Sequence, residues 1–122
     1  MVLVDTSVWV NHFKMGNNTL IGLLQSDNVL CHPFVIAEIA CGTPPEPRKQ
    51  TLYDLSLLKP IKTASHDEVL AFIEEHKLYG KGCGFIDFAL LASVVLDRGT
   101  RLWTNDKKLR KLAKSFDVMF DQ

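Results

Sequence analysis

From Phe85 to Leu96 the chain reads Phe-Ile-Asp-Phe-Ala-Leu-Leu-Ala-Ser-Val-Val-Leu, apolar on every helical face except for one carboxylate, Asp87, and one hydroxyl, Ser93. Such a run is long for a strand and too short to cross a bilayer, so it predicts a central helix enclosed on all sides. A helix of that kind needs other elements around it, which restricts the chain to layered architectures. Burying a lone carboxylate is costly unless a cation or hydrogen-bond donors meet it. A first-turn Asp also complements the helix dipole, so Asp87 alone is explained as well by structure as by chemistry.

The remaining elements follow from punctuation. Val2-Leu3-Val4, Val29-Leu30-Cys31 and Arg101-Leu102-Trp103 read as short strands, with Leu58-Lys59-Pro60-Ile61 a poorer edge strand because Pro60 removes a ladder donor. Helices are predicted over Ser7–Lys14, Thr19–Gln25, Pro33–Cys41, Arg48–Leu57 and from the Ser65 cap to about Leu78, each bounded by Gly, Asn or Pro signals. A last amphipathic helix starts at Thr104-Asn105-Asp106 and turns Leu109, Leu112, Ala113 and Phe116 inward, and Val118-Met119-Phe120 is a candidate final strand. Apolar strands alternating with helices predict an α/β class, with a mostly parallel central sheet flanked by helices in three layers. The 122 residues suffice for a single domain spanning residues 1–122.

In an open parallel sheet, ligands sit beyond the carboxyl ends of the strands. Asp5 directly follows the first strand, Asp106 follows Arg101–Trp103, Glu38 lies on an otherwise apolar helix after Val29–Cys31, and Asp87 opens the central helix. All four can therefore project to one rim. Individually Asp5 and Asp106 are explained as helix caps, and Glu38 as a residue turned to solvent. Jointly those explanations fare worse, since Glu38 and Asp87 interrupt apolar segments where a surface charge is not expected. Carboxylates gathered at one point raise one another's pKa unless a cation neutralises them. Oxygen ligands without a His or Cys cluster select Mg²⁺ or Mn²⁺ over zinc, and such an ion supports phosphodiester hydrolysis.

Val-Asp-Thr-Ser-Val-Trp at Val4–Trp9, Glu38 in its apolar helix, Phe-Ile-Asp-Phe-Ala-Leu-Leu-Ala at Phe85–Ala92 and Trp-Thr-Asn-Asp at Trp103–Asp106 together resemble the PIN domain, and within it the VapC-type toxins of bacterial toxin–antitoxin pairs. The resemblance covers nearly the whole chain. It implies a PIN-like nuclease domain acting as a Mg²⁺- or Mn²⁺-dependent endoribonuclease. The substrate would be tRNA or another structured RNA. Asp5, Glu38, Asp87 and Asp106 match the family's catalytic and metal-binding acids, and Thr6, Ser7 and Thr104 match their smaller polar neighbours. It further implies a cognate antitoxin and a homodimer. Gly82-Cys83-Gly84 departs from the more polar approach to Asp87 usual in the family, which bears on substrate choice. The alternative is a catalytically silent RNA- or partner-binding module of the same fold. A silent relative should have lost at least one acid, and all four are present.

Net charge is zero, with 14 basic and 14 acidic residues, so any contact with a polyanion must be local. The basic residues crowd toward the last helix, where Lys107, Lys108, Arg110, Lys111 and Lys114 follow Asp106. With Lys81 in its glycine loop, Lys107, Lys108 and Lys111 are candidates to hold RNA phosphates, although a solvated helix face explains the same pattern. Gly80-Lys81-Gly82-Cys83-Gly84 is not a P-loop, because no Gly-Lys-Ser/Thr closes it. Trp9, Phe13, Leu20 and Leu24 are candidates for an antitoxin groove, with core packing the competing explanation. His12, His32, His66 and His76 lack metal-ligand spacing and are expected to be surface or packing residues. The three cysteines form no C-x-x-C pair, which fits free thiols in a reducing cytoplasm. Met1-Val2-Leu3-Val4-Asp5 lacks a basic n-region, so neither a signal peptide nor a membrane span is expected.

Overall fold

A computed structural model describes residues 1–121. In chain order the elements are β1 (Val2–Val4), α1 (Thr6–Met15), α2 (Asn18–Gln25), β2 (Val29–Cys31), α3 (Pro33–Cys41), α4 (Arg48–Ser56), β3 (Lys59–Pro60), α5 (His66–His76), α6 (Phe85–Leu96), β4 (Arg101–Trp103) and α7 (Lys107–Ser115). The strands form one sheet in the order β3-β2-β1-β4, every pairing parallel. Val4 lies opposite Trp103, so β1 and β4 end level with each other. Among the described residues no helix is long and apolar enough to cross a membrane.

The topology places the site. From β1 the chain steps outward to β2 and β3, then returns past β1 to β4. Right-handed crossovers put the helices of the first steps on one face and those of the return on the other, in keeping with contacts of α3 with α1 and α4, and of α6 with α5 and β4. The direction of winding therefore reverses between β1 and β4, and the crevice for a ligand opens there, at their carboxyl ends.

The central helix is buried as its composition demands. Leu90, Leu91 and Ala92 have no exposed surface, and Phe88, Ala89, Ser93 and Val94 are enclosed beside them. Ser93 is satisfied inside the core: its hydroxyl donates to the Ala89 carbonyl at 2.7 Å and accepts the Ala64 N–H at 3.0 Å.

Beyond one-residue shifts at the ends of α1, α2 and α4, three boundaries differ from the sequence expectation. The fifth helix stops at His76, because Lys77 turns left-handed (φ 52°) and lets Leu78 fold back with its N–H on the Ile73 carbonyl, burying the Leu78 side chain. The edge strand shrinks to Lys59–Pro60, although Ile61 still donates to the Cys31 carbonyl. Val118–Phe120 makes a single parallel bridge, Met119 to Leu102, rather than a strand; the Leu102 N–H bonds the Val118 carbonyl and the Phe120 N–H bonds the Leu102 carbonyl.

Candidate active site

Asp5 stands where a cap would stand, immediately before α1, yet its side chain makes no cap bond. Instead both the Ser7 hydroxyl (2.8 Å) and the Thr104 hydroxyl (2.7 Å) donate to its Oδ2. Asp5 is almost fully buried and Thr104 entirely so. The backbone locks this pair across the crevice: the Asp5 N–H donates to the Trp103 carbonyl at 2.9 Å, and the Asn105 N–H to the Ser7 hydroxyl at 3.0 Å. Thr104 also accepts the Asp106 N–H at 3.1 Å, which ties the start of α7 to the same point.

The other carboxylates join through short links. The Thr6 hydroxyl donates to Glu38 Oε1 at 2.7 Å, fixing α3 to the start of α1. Asp106 does cap α7, accepting the Leu109 N–H on Oδ1 at 2.9 Å. Asp87 accepts the Gly84 N–H on Oδ2 at 3.2 Å, so part of its explanation as a helix-start residue holds. Partial burial pushes the Asp87 carboxyl up; the Gly84 N–H opposes this, and the negative charges of Asp5 and Asp106 add to it. Asp87 thus shares its surroundings with the acids that end β1 and β4.

Each of the four acids has one oxygen held by a donor while the other, Asp5 Oδ1, Glu38 Oε2, Asp87 Oδ1 or Asp106 Oδ2, has no hydrogen-bond partner among the described residues. Held and half-satisfied carboxylates around a crevice suit a hard cation. Among the described residues no three carboxylate, imidazole or thiol groups stand close enough to clasp one ion together.

A PIN-domain profile matches residues 2–115. Ribonuclease VapC32 from two strains of Mycobacterium tuberculosis is 44% identical over 110 residues, covering 90% of this chain and 88% of that protein. The crystal structure of FitAcB from Neisseria gonorrhoeae superposes with a TM-score of 0.59 at 19% identity, covering 98% of this chain and 95% of that one. The chain belongs to the PIN-domain family.

In this PIN domain the remaining predicted residues are placed unevenly. Lys81, Lys108 and Lys111 line one hollow with Leu112 and Ser115; Lys107 does not line it. The Arg110 guanidinium is engaged elsewhere, by the Thr104 carbonyl at 3.4 Å and the Asp121 carboxylate at 3.8 Å. Trp9, Phe13 and Leu24 line an apolar groove with Pro45, Leu55 and Leu58. Leu20 does not, because it has no exposed surface and packs wholly into the core.

His32 and His66 were expected only as surface or packing residues, and the grouping they enter escaped the sequence reading. His32, Phe34, Phe85 and His66 form a chain of rings, with centroids 4.9, 6.4 and 5.3 Å apart in that order, beside the start of α6. Their positions along the chain follow no single period, so no local pattern announces them. His32 is buried and caps α3, its Nδ1 accepting the Phe34 N–H at 2.9 Å while its Nε2 has no partner among the described residues. Burial pulls its pKa down from 6.5 to about 4.

Proposed function

We propose that this chain is a metal-dependent endoribonuclease that serves as the toxin of a toxin–antitoxin pair, hydrolysing RNA in the cytoplasm at the cluster of Asp5, Glu38, Asp87 and Asp106. The observation that carries this reading is Asp5, a carboxylate at a cap position that does no capping and is instead aimed by two hydroxyls, one of them 99 residues away in sequence. Its 44% identity to a protein named a ribonuclease supports the same activity here.

Bound Mg²⁺ or Mn²⁺ would supply a Lewis acid for the phosphoryl oxygen and a water of lowered pKa. The chain does the rest. Ser7 and Thr104 hold Asp5 in one rotamer, and Thr6 holds Glu38, so the acids need little rearrangement when substrate arrives. Asp87, at the start of α6 and in the field of Asp5 and Asp106, would accept the proton of the attacking water. A bond forms from the water oxygen to phosphorus as the bond to the departing ribose oxygen breaks. The substrate in this reading is tRNA or another structured RNA.

An antitoxin segment fits the apolar groove of Trp9, Phe13, Leu24 and Leu55. Phe13 also lines a neighbouring hollow that ends at Glu38, so a segment seated in the groove could extend a basic side chain to the acids. A homodimer belongs to the same proposal and is read from sedimentation. The test of the activity is cleavage of purified tRNA with Mn²⁺ or Mg²⁺. Wild-type protein should cut, Asp5→Asn should not, and EDTA should stop the reaction. Equal cleavage by both proteins would remove the site from the reaction.

A further inference from the structure

The hollow lined by Lys81, Lys108, Lys111, Leu112 and Ser115 has a volume of about 460 Å³ and no carboxylate in its lining. On α7, Lys108, Lys111, Leu112 and Ser115 fall at i, i+3, i+4 and i+7, one continuous stripe. Lys81 faces that stripe from the glycine loop. Among the described residues none of the three lysines takes part in an ion pair. Three ammonium groups converging without a counter-charge repel one another, an arrangement that an anion would relieve.

The glycine loop makes room for this convergence. Gly82 adopts φ +83°, and a Cβ built there would lie 2.6 Å from Lys108 Nζ, closer than real atoms approach. The end of the Lys108 side chain therefore lies directly against the Gly82 backbone. The next residue, Cys83, lies within the influence of Lys108, Asp87 and Asp106 together, so the lysine hollow lies near Asp87 and Asp106. The departure from the family's usual sequence before Asp87 thereby gains a physical role.

We propose that Lys81, Lys108 and Lys111 form a discrete pocket for one internal phosphodiester of the RNA backbone, flanking the bond that the acid cluster cleaves. The pocket rests on the nuclease reading of that cluster and adds a fixed register to it, since holding a flanking phosphate sets which bond reaches the acids. It also divides the lysines of α7. Lys108 and Lys111 hold phosphate, while Lys107 and Lys114, which do not line the hollow, do not.

The test is anisotropy of a fluorescein-labelled single-stranded oligoribonucleotide, titrated with protein in EDTA across a range of salt concentrations so that binding is read without cleavage. Lys108→Gln/Lys111→Gln should weaken binding and lower the slope of log K against log salt by about 0.7, the value for one phosphate contact on a single strand. Lys107→Gln/Lys114→Gln should keep the wild-type slope, and RNA with a 5′-hydroxyl should bind as tightly as RNA with a 5′-phosphate. Equal losses from the two double variants would mean a diffuse field, and no loss from the first would place the phosphate elsewhere; either overturns the pocket. A loss confined to 5′-phosphorylated RNA would assign the pocket to a terminal phosphate and overturn the backbone assignment. Failure here leaves metal-dependent cleavage intact as a separate result, and failure of cleavage leaves this binding result standing.

Discussion

His32 gives the sharpest quantitative prediction. Its imidazole caps α3 only while Nδ1 is an unprotonated acceptor for the Phe34 N–H, and burial holds its pKa at about 4 against an ordinary 6.5. Between those values the unfolded chain takes up a proton that the folded chain refuses. The contribution to stability is therefore complete above pH 6.5 and is lost as pH falls toward 4. At about 1.4 kcal/mol per unit, the loss is about 2 kcal/mol by pH 5 and about 3 kcal/mol by pH 4. Asn at this position keeps a side-chain acceptor for the cap but does not titrate. Urea unfolding of wild type and His32→Asn across pH 4–7 isolates the term, because every other titration is common to both proteins. The wild type should lose about 3 kcal/mol relative to the variant over that range. Parallel stability curves would refute the reasoning. Glu38 rides on the helix that His32 caps, so cleavage should decline in the same window.

Thr104→Val removes a fully buried hydroxyl that donates to Asp5 and accepts from the Asp106 N–H. It should cost about 1.5–3 kcal/mol in urea unfolding and about a hundredfold in cleavage through misplacement of Asp5; wild-type values for both would contradict the role assigned to it. Asp87→Asn should melt higher than wild type in EDTA at pH 7. The raised carboxyl stabilises the wild type at acid pH and loses that contribution as pH rises through its folded value, whereas the amide carries no charge. A lower melting temperature for the variant would show that Asp87 is held by favourable partners instead.

The parts of this fold that were legible in the sequence are those decided locally. A strand buried on both faces has to be apolar throughout, and Val2–Val4 and Val29–Cys31 are. The central helix declared itself by having no polar face. The acids could be named because two of them interrupt apolar segments; the structure sets Asp87 in the field of Asp5 and Asp106, and ties Glu38 to Thr6 beside Asp5. Their individual roles were not legible. Whether Asp5 caps α1 depends on Thr104 at the end of another strand, and whether Asp106 caps α7 depends on backbone geometry at Leu109.

Among the cations, simple proximity in sequence grouped Lys107 with Lys108 and Lys111, whereas only Lys108 and Lys111 line the hollow with Lys81. Leu20 shared a stripe with the groove residues but faces the other way, into the core. The Gly80–Gly84 loop entered the sequence reading only as a glycine loop that is not a P-loop. What mattered was the space that Gly82 leaves for a side chain of α7.

The central claim is that Asp5, Glu38, Asp87 and Asp106 gather to hold a hard divalent ion, and calorimetric titration with Mn²⁺ tests it most directly. Wild-type protein should take up Mn²⁺ saturably, and Asp5→Asn and Asp87→Asn should each abolish that uptake while remaining folded by circular dichroism. Flat heats for the wild type, or uptake that both variants retain, would contradict it.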